Sequence, residues 1–142
     1  MGEVRVKTVI NADTASVWAV LSDVASWSDW NEIMVDGRCD DRSPGARISC
    51  KVAVGPIMFP VDSYAHTWQE ERALIWGEDR GHVIRVNHGF SLEPTDDGGT
   101  HIEHFESFEG VAGRLVFPLI RSSLTRNYAA FLDALKRRVE RT

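Results

Sequence analysis

The hydrophobic period of this 142-residue sequence changes near residue 111, and that change limits the folds that the chain can adopt. Before it, apolar residues alternate in short segments separated by turn signals, as they do in β-strands. After it, apolar residues recur at helical spacing and form one stripe, which consists of Leu124, Tyr128, Phe131, Leu135 and Val139. Clustered strands followed by one long amphipathic helix predict an α+β fold with an antiparallel sheet.

Local patterns predict seven strands and three helices. The strands fall at residues 4–10, 35–39, 46–54, 59–69, 73–77, 83–93 and 101–109, with a loop at 55–60. An amphipathic helix over 14–24 is capped by Asp13, and a very short helix follows at 26–30. The long helix begins near residue 111, and Pro118 either kinks it or marks its true start.

Composition and charge argue against several classes of protein. The net charge is −5 and no basic face is evident, so we expect no nucleic-acid partner. No apolar run approaches the roughly 20 residues that span a membrane, and the N-terminus lacks an apolar signal segment; we therefore expect a cytoplasmic protein without integral membrane association. Signatures for nucleotides, dinucleotides, zinc proteases and serine hydrolases are absent, and we expect no cofactor. The length predicts one domain over residues 1–142, and a monomer is our expectation.

The two cysteines, Cys39 and Cys50, match no metal-binding spacing. They flank the turn signal at residues 43–45 almost symmetrically, so they could face each other across a hairpin. A cytosolic setting nevertheless favours free thiols that act as small core residues.

The last predicted strand, HIEHFESFEG at 101–110, carries charged residues on both of its faces. Its more apolar face contains His104 and Glu106 together with Phe108. Only one face of such a strand can point into the core, so burying this one also buries a histidine and a carboxyl group. The preceding strand has a clearly apolar face that contains His88.

A hairpin turn at residues 95–99 brings these two faces together. One register pairs His88 with Glu106 and Phe90 with His104, with opposed Cβ atoms about 5 Å apart. A one-step slip of the turn, which shifts the pairing by two residues, would instead pair His88 with His104 or with Phe108. In each register two histidines and one glutamate lie on the inner face.

Two interpretations of this cluster remain open. In the first, His88 and Glu106 satisfy each other as a buried polar pair inside a dry core, because a buried polar group needs a partner. In the second, the cluster lines a partly hydrated pocket and binds the polar end of a ligand. Two histidines and one carboxylate could also hold a metal ion, but we expect none here.

Several motifs resemble the polyketide cyclase/dehydrase-like proteins of the START-like (SRPBCC) superfamily. They are I-x-A-D-T-A-S-V-W-A-V-L-S-D at 10–23, W-x-x-W-N at 27–31, L-x-W at 74–76, H-x-F-x-L at 88–92, H-x-E-x-F-x-G at 104–110 and A-L-K-x-x-x-E at 134–140. Their order and spacing cover nearly the whole chain. The resemblance implies the helix-grip fold, in which a curved seven-stranded antiparallel sheet surrounds the long C-terminal helix and two short helices follow strand 1.

The resemblance also implies an apolar cavity between the sheet and the long helix. Members of the superfamily include aromatase/cyclases, lipid carriers, hormone-binding and quinone-binding proteins and chaperone activators, so the fold does not fix the function. Our first hypothesis is a protein that binds a small hydrophobic ligand such as a lipid, polyketide, isoprenoid or aromatic compound. The second is a cyclase, aromatase or dehydratase that uses the same cavity, and the third is an interaction protein of the chaperone-activator kind.

Candidate site residues follow from these patterns. His88, His104 and Glu106 are the candidates for general acid/base chemistry, because histidine and carboxyl groups exchange protons near neutral pH. Trp30 lies where the second short helix would close the cavity, and Phe117 lies in an apolar segment that is either a gate or simply buried. The expected ligand-binding set is His88, Phe90, His104, Glu106, Phe108, Trp30, Trp76, Phe117, Leu124, Tyr128 and Phe131.

Overall fold

The computed structural model describes residues 2–141 and contains one antiparallel sheet of seven strands in the order β1-β7-β6-β5-β4-β3-β2. The curved sheet packs on a long C-terminal helix, as the helix-grip prediction required. The strands are β1 (Gly2–Ile10), β2 (Met34–Cys39), β3 (Arg47–Val54), β4 (Ile57–Gln69), β5 (Ala73–Asp79), β6 (Arg85–Pro94) and β7 (Thr100–Glu109).

Two short helices lie between β1 and β2, as predicted. Helix α1 spans Thr14–Leu21, and its N-cap Asp13 accepts a hydrogen bond of 2.8 Å from the backbone N–H of Ser16. A 3-10 helix follows at Val24–Asp29. Helix α2, Gly110–Glu140, is 31 residues long, and no helix among residues 2–141 is both long and apolar enough to span a bilayer.

The core lies between the inner face of the sheet and one stripe of α2. This stripe contains Leu124, Tyr128, Phe131, Leu135 and Val139, all buried as the helical spacing predicts. Inner-face residues of the strands meet it, and Trp27 from the 3-10 helix packs edge-on against Phe131 with ring centroids 5.7 Å apart. The two short helices thereby close one end of the core.

Some predicted boundaries were wrong. Residues 57–60 belong to β4 rather than to a loop, because Phe59 and Pro60 pair with Val52 and Lys51 of β3. The first helix ends at Leu21 rather than at residue 24.

Pro118 does not mark the start of the long helix, which begins eight residues earlier at Gly110. Proline lacks an N–H group, so the carbonyl of Arg114 loses its helical partner. Because Pro118 and Arg114 are both on the exposed side of α2, water can satisfy that carbonyl and the helix continues.

A β-bulge in β4 changes which face its last residues occupy. Ala65 pairs with Trp76 and Thr67 pairs with Ile75, so His66 is the extra residue. Trp68 therefore lies on the inner face, where it meets Trp18 of α1 at 6.0 Å. Regular alternation along the sequence would put Trp68 on one face with Tyr64 and His66, and the bulge breaks that alternation.

Both cysteines are free thiols, as predicted. They do not face each other, because Cys39 pairs with Ile48 while Cys50 pairs with Val61. Cys50 is buried in the core, and burial raises the pKa of its thiol to about 12.

Candidate functional site

The β6–β7 hairpin places two histidines and a glutamate on the inner face of the sheet. His88 pairs with Glu106 and Phe90 pairs with His104, so the first of the three registers considered is confirmed. The histidine side chains are fully buried, while 12% of the Glu106 side chain is exposed. Strand alternation explains this arrangement, because every second residue of each strand faces α2.

Tyr128 of α2 completes the cluster from the other side of the core. Its hydroxyl group donates a hydrogen bond to Oε1 of Glu106. Oε2 of the same carboxyl group lies 3.7 Å from Nδ1 of His88. Nε2 of His88 lies 2.7 Å from Nε2 of His104, which makes a continuous chain of four polar side chains.

Burial raises the pKa of Glu106 to about 7, although the hydrogen bond from Tyr128 acts in the opposite direction. A carboxyl group in this position gains and loses its proton near neutral pH, which an exposed glutamate does not do. Burial also raises the pKa of Tyr128 well above its usual value, with the neighbouring Glu106 adding to the effect. Tyr128 is therefore a stable hydrogen-bond donor to this carboxyl group.

Both histidines are neutral at neutral pH. Burial lowers the pKa of His88 to about 3, and burial together with the nearby His88 lowers the pKa of His104 well below its usual value. Because two neutral imidazoles meet through their Nε2 atoms, one of them donates the hydrogen bond and the other accepts it.

The tautomers of the two histidines decide what His88 presents to Glu106, 3.7 Å away. Nδ1 of His104 is buried without a hydrogen-bond partner, and the backbone of Tyr128 acts to raise the pKa of this ring, against burial and His88, which lower it. If His104 keeps its proton on Nδ1, His88 donates through Nε2 and turns a lone pair toward Glu106. That pair of tautomers suits a protonated Glu106, and the reverse pair suits the carboxylate.

A cavity of about 360 Å³ opens between the sheet and the N-terminal half of α2, with this cluster at its inner wall. His88 and Glu106 line it, whereas His104 lies behind them, stacked between Phe90 and Tyr128 at 4.3 Å from each ring. The remaining wall is mostly apolar, and this size falls within the range of small-molecule pockets. The residues that line the cavity are Val52, Val54, Phe59, Pro60, Val61, Ser63, Trp76, Gly77, Glu78, Ile84, Val86, His88, Glu106, Phe108, Val116, Ile120, Leu124 and Tyr128.

Six of the predicted ligand-binding residues line this cavity, namely His88, Glu106, Phe108, Trp76, Leu124 and Tyr128. Phe90, His104 and Phe131 are fully buried and support the wall from behind. Phe117 packs against Phe108 at 5.5 Å and against the backbone of Gly2, so it lies outside the cavity.

Trp30 also lies elsewhere. Its ring packs on Phe131 at 5.0 Å, and it lines a separate, wider cleft of about 760 Å³ together with Arg137, Arg138 and Arg141 near the end of α2. That cleft is larger than the inner cavity but contains none of the four polar side chains of the cluster.

The sequence prediction missed part of the cavity wall. Phe59 and Pro60 were missed because the predicted loop at 55–60 overlaps them, and Val61 was missed because the sequence did not show which face of the strand 59–69 points inward. The sequence could have identified Val86 as a cavity residue, since it shares the inner face of β6 with His88. It could not have identified Val116, because a helix position that borders a cavity does not differ in sequence from an ordinary surface position.

The cluster is a row of four polar side chains with a hydrogen bond at each end and a 3.7 Å contact between Glu106 and His88 in the middle. Within residues 2–141, no group of three histidine, cysteine or acidic side chains is placed to hold a metal ion. The two Nε2 atoms that a shared metal would use are directed at each other at 2.7 Å. The geometry suits proton exchange and hydrogen bonding to a bound molecule.

Solved structures with this architecture come from several bacteria. A protein from Thermus thermophilus superposes with a TM-score of 0.77 at 17% identity, covering 97% of each chain. The Zhui aromatase/cyclase from a Streptomyces species gives 0.76 at 16% identity, covering 99% of this chain and 94% of that one. A START superfamily protein from Mycobacterium smegmatis gives 0.72 at 18% identity, covering 98% of this chain and 97% of that one. At these identities the likeness establishes the fold.

No curated protein sequence matches this chain significantly. The sequence profile of the family described as "Polyketide cyclase / dehydrase and lipid transport" matches residues 1–140, which is nearly the whole chain. The motifs, the helix-grip architecture and this match agree, and the chain belongs to the polyketide cyclase/dehydrase and lipid transport family.

Proposed function

We propose that this protein binds a small hydrophobic molecule in the inner cavity and holds the polar end of that molecule at Glu106. The observation that carries the proposal is the position of Glu106 at the inner wall of an otherwise apolar cavity of about 360 Å³. A buried carboxyl group is costly, and a purely structural pair with His88 would not require empty space beside it.

The cluster favours a ligand with a hydroxyl or carbonyl group. Tyr128 occupies one carboxyl oxygen of Glu106, and the other oxygen lies 3.7 Å from His88, beyond hydrogen-bond distance. With a pKa of about 7, Glu106 donates to a ligand carbonyl when protonated and accepts from a ligand hydroxyl when ionised. Phe108, Trp76 and Leu124 would cover the apolar body of the ligand.

An amide NMR titration tests this proposal. The full chain is titrated with a panel of fatty acids, quinones, flavonoids and polyketide-like aromatic compounds. We expect saturable shifts centred on residues 86–92, 102–110 and 115–131 for at least one class. An unresponsive spectrum across the panel would contradict the proposal and favour a protein partner instead.

A pair of variants then locates the polar end of the ligand. Glu106→Leu should change which panel members bind, because the apolar side chain offers no hydrogen bond to the ligand. The matched control is Glu103→Gln, which changes a carboxyl group on the outer face of the same strand, where Glu103 pairs with Arg5. Equal loss of all ligands in Glu106→Leu, together with a collapsed melting temperature, would mean that Glu106 has only a structural role.

An enzyme is the second candidate, and the pKa of Glu106 favours it. Cyclisation and dehydration of a polyketide-like chain need a group that removes a proton from carbon and returns one to oxygen, and such a group works best with a pKa near the working pH. Glu106 meets that requirement, and His88 beside it would relay tautomer changes to His104. Two solved structures with this fold are aromatase/cyclases by description.

Turnover of a reactive β-keto substrate tests the enzymatic candidate. We expect Glu106→Gln to abolish turnover while binding is retained, and His88→Ala and His104→Ala each to reduce it. Saturable binding without turnover of any β-keto compound would leave ligand binding as the function and exclude the enzyme.

A further inference from the structure

Ser63 of β4 is a buried polar residue that does not belong to the row of four polar side chains. It is 3% exposed and lies on the inner face of the strand, between the exposed residues Asp62 and Tyr64. Its side chain lines the inner cavity. Serine is mostly exposed in folded proteins, so a serine at an inner-face position of a strand needs an explanation.

The hydroxyl group of Ser63 makes no hydrogen bond to any group in residues 2–141. Its partner in the β3–β4 pairing is Ile48, which is buried and apolar. A buried hydroxyl group costs free energy unless something forms a hydrogen bond with it. Because Ser63 lines the cavity, that partner is a molecule inside the cavity, either water or a ligand.

Ser63 and Glu106 lie on different walls of the same cavity. Ser63 belongs to β4 and Glu106 to β7, and the sheet places β5 and β6 between these two strands. Neighbouring strands are about 4.8 Å apart, so the two residues are separated by about 14 Å along the sheet and by somewhat less across its curve. One hydroxyl group of a ligand could not reach both residues, whereas an elongated molecule with a polar group at each end could.

The charges around the cavity limit what those polar groups can be. Glu78 and Glu106 both line the cavity, and none of the described residues that line it is a lysine or an arginine. The carboxylate of Glu78 lies 3.5 Å from Nε of Arg80, which is not part of the lining and is largely exposed. A ligand carboxylate would lose its hydration here without gaining a cation, so the lining disfavours anionic ligands.

We propose that Ser63 is a second ligand-binding residue, and that the cavity takes a molecule with a hydroxyl group at each end of an apolar body and no anionic group. The inference rests on the proposed function, in which Glu106 holds one polar end, and it adds the second polar end and the charge. Trp76 and Val86 line the cavity from the two strands between these residues, so they would contact the apolar body.

Three matched aromatic probes test the inference by amide NMR titration of the full chain. They are naphthalene-2,6-diol, 2-naphthol and 6-hydroxy-2-naphthoic acid, which share one ring system and differ in the group at one end. We expect the diol to bind about tenfold more tightly than the naphthol, because it satisfies the buried hydroxyl group of Ser63. The carboxylate should bind more weakly than the naphthol.

Two variants assign these differences to residues. Ser63→Ala should lower the affinity for the diol to that for the naphthol and leave the naphthol unaffected. Glu78→Gln should reduce the difference between the naphthol and the carboxylate, because it removes one of the two acidic groups of the cavity. The matched control is Ser49→Ala on the outer face of β3, where Ser49 pairs with Asp62, and it should bind all three probes like the unmodified chain. Circular dichroism melting curves confirm that each variant is folded.

Several results would overturn the inference. They are absence of binding by the diol, equal affinities for the diol and the naphthol, equal weakening of both probes in Ser63→Ala, and a carboxylate that binds as tightly as the diol. Equal weakening of both probes would mean that Ser63 only shapes the wall or binds water.

Failure of the proposed function itself gives a different result. If the naphthol shifts the residues around Glu106 and the diol gains nothing over it, the ligand site remains and only the role of Ser63 is lost. If no member of the larger panel shifts those residues, the ligand site itself is excluded.

Discussion

At the scale of single residues, Glu106 and the two histidines respond to pH in opposite ways. The folded state raises the pKa of Glu106 to about 7, so between pH 5 and 6.5 it holds one proton that the unfolded chain releases. The lowered pKa values of His88 and His104 keep both rings neutral in the folded state, while the unfolded chain takes up two protons there. The cluster as a whole should therefore lose stability as the pH falls through this window.

The pH dependence of the free energy of unfolding can be measured from urea unfolding between pH 5 and 6.5. For the cluster, the unfolded chain binds about one more proton than the folded state, which gives a slope of about 1.4 kcal/mol per pH unit. Glu106→Gln removes the group that holds its proton in the folded state. The difference in bound protons should therefore rise to about two, and the slope should rise in proportion. His104→Phe, with its ring between Phe90 and Tyr128, should lower the slope to near zero.

The direction in which the slope changes in each variant tests the assigned protonation of Glu106 and the histidines. A slope that does not rise in Glu106→Gln would mean that Glu106 is ionised in the folded protein at pH 6, contrary to its raised pKa. His104→Phe leaves Nε2 of His88 without a partner, so its overall stability should also drop, but only the slope reports the titration.

The Tyr128 hydroxyl group acts on the protonation of Glu106 through a direct hydrogen bond. Its hydrogen bond lowers the pKa of the carboxyl group, so Tyr128→Phe should move the Glu106 titration to higher pH. Carboxyl carbon NMR of the labelled protein measures this shift. Tyr64→Phe is the matched control, because Tyr64 is 62% exposed on the outer face of β4. A downward shift in Tyr128→Phe would contradict the assigned role of the hydroxyl group.

At the scale of elements, helix α1 depends on a local cap. The carboxylate of Asp13 accepts a hydrogen bond from the backbone N–H of Ser16. Asp13→Ala should lower the free energy of unfolding by about 1 kcal/mol, because a helix N–H group loses its partner. Thermal melting measures the change, and Asp13→Asn should retain most of the stability. Similar losses in both variants would show that the charge of Asp13, and not its capping oxygen, stabilises the helix.

Strand β4 contains a bulge, and side-chain alternation along its sequence therefore fails to predict which face its last residues occupy. Alternation predicts faces correctly only while each residue opposes one partner, and the extra residue His66 breaks that rule. The bulge keeps His66 outside, where its Nε2 lies 2.8 Å from Oδ1 of Asn87, and turns Trp68 into the core. Nothing in the local sequence distinguishes this bulge from a regular strand, because the residue types fit either face.

At the scale of the whole molecule, a ligand in the inner cavity should stabilise the fold. A molecule that binds only the folded state at about 100 times its Kd adds about 2.7 kcal/mol to the free energy of unfolding. For a chain of this size, that corresponds to an increase in Tm of roughly 5–10 °C. Differential scanning calorimetry of the NMR-positive compound measures it. An unchanged Tm at a concentration that saturates the NMR shifts would mean that the compound binds the unfolded chain as well as the folded one, contrary to a site that only the fold creates.

The sequence by itself determined an α+β fold with an antiparallel sheet and one long helix, and the β6–β7 pairing that places His88 opposite Glu106. Both depend on periodicity and on short turns, which are local properties of the chain, whereas the helix-grip arrangement was implied by the family resemblance. The inner face of β7 and the apolar stripe of α2 were predicted correctly for the same reason.

Only the tertiary structure decided how these elements meet. It placed Tyr128 against Glu106, left His104 behind the cavity wall and moved Phe117 and Trp30 away from the cavity. It also left Leu115 exposed, although a leucine in an amphipathic helix would ordinarily be assigned to the core. The physical reason is that side-chain environments depend on how far α2 stands from the curved sheet along its length, and that distance is set by packing over the whole molecule rather than by neighbouring residues in the chain.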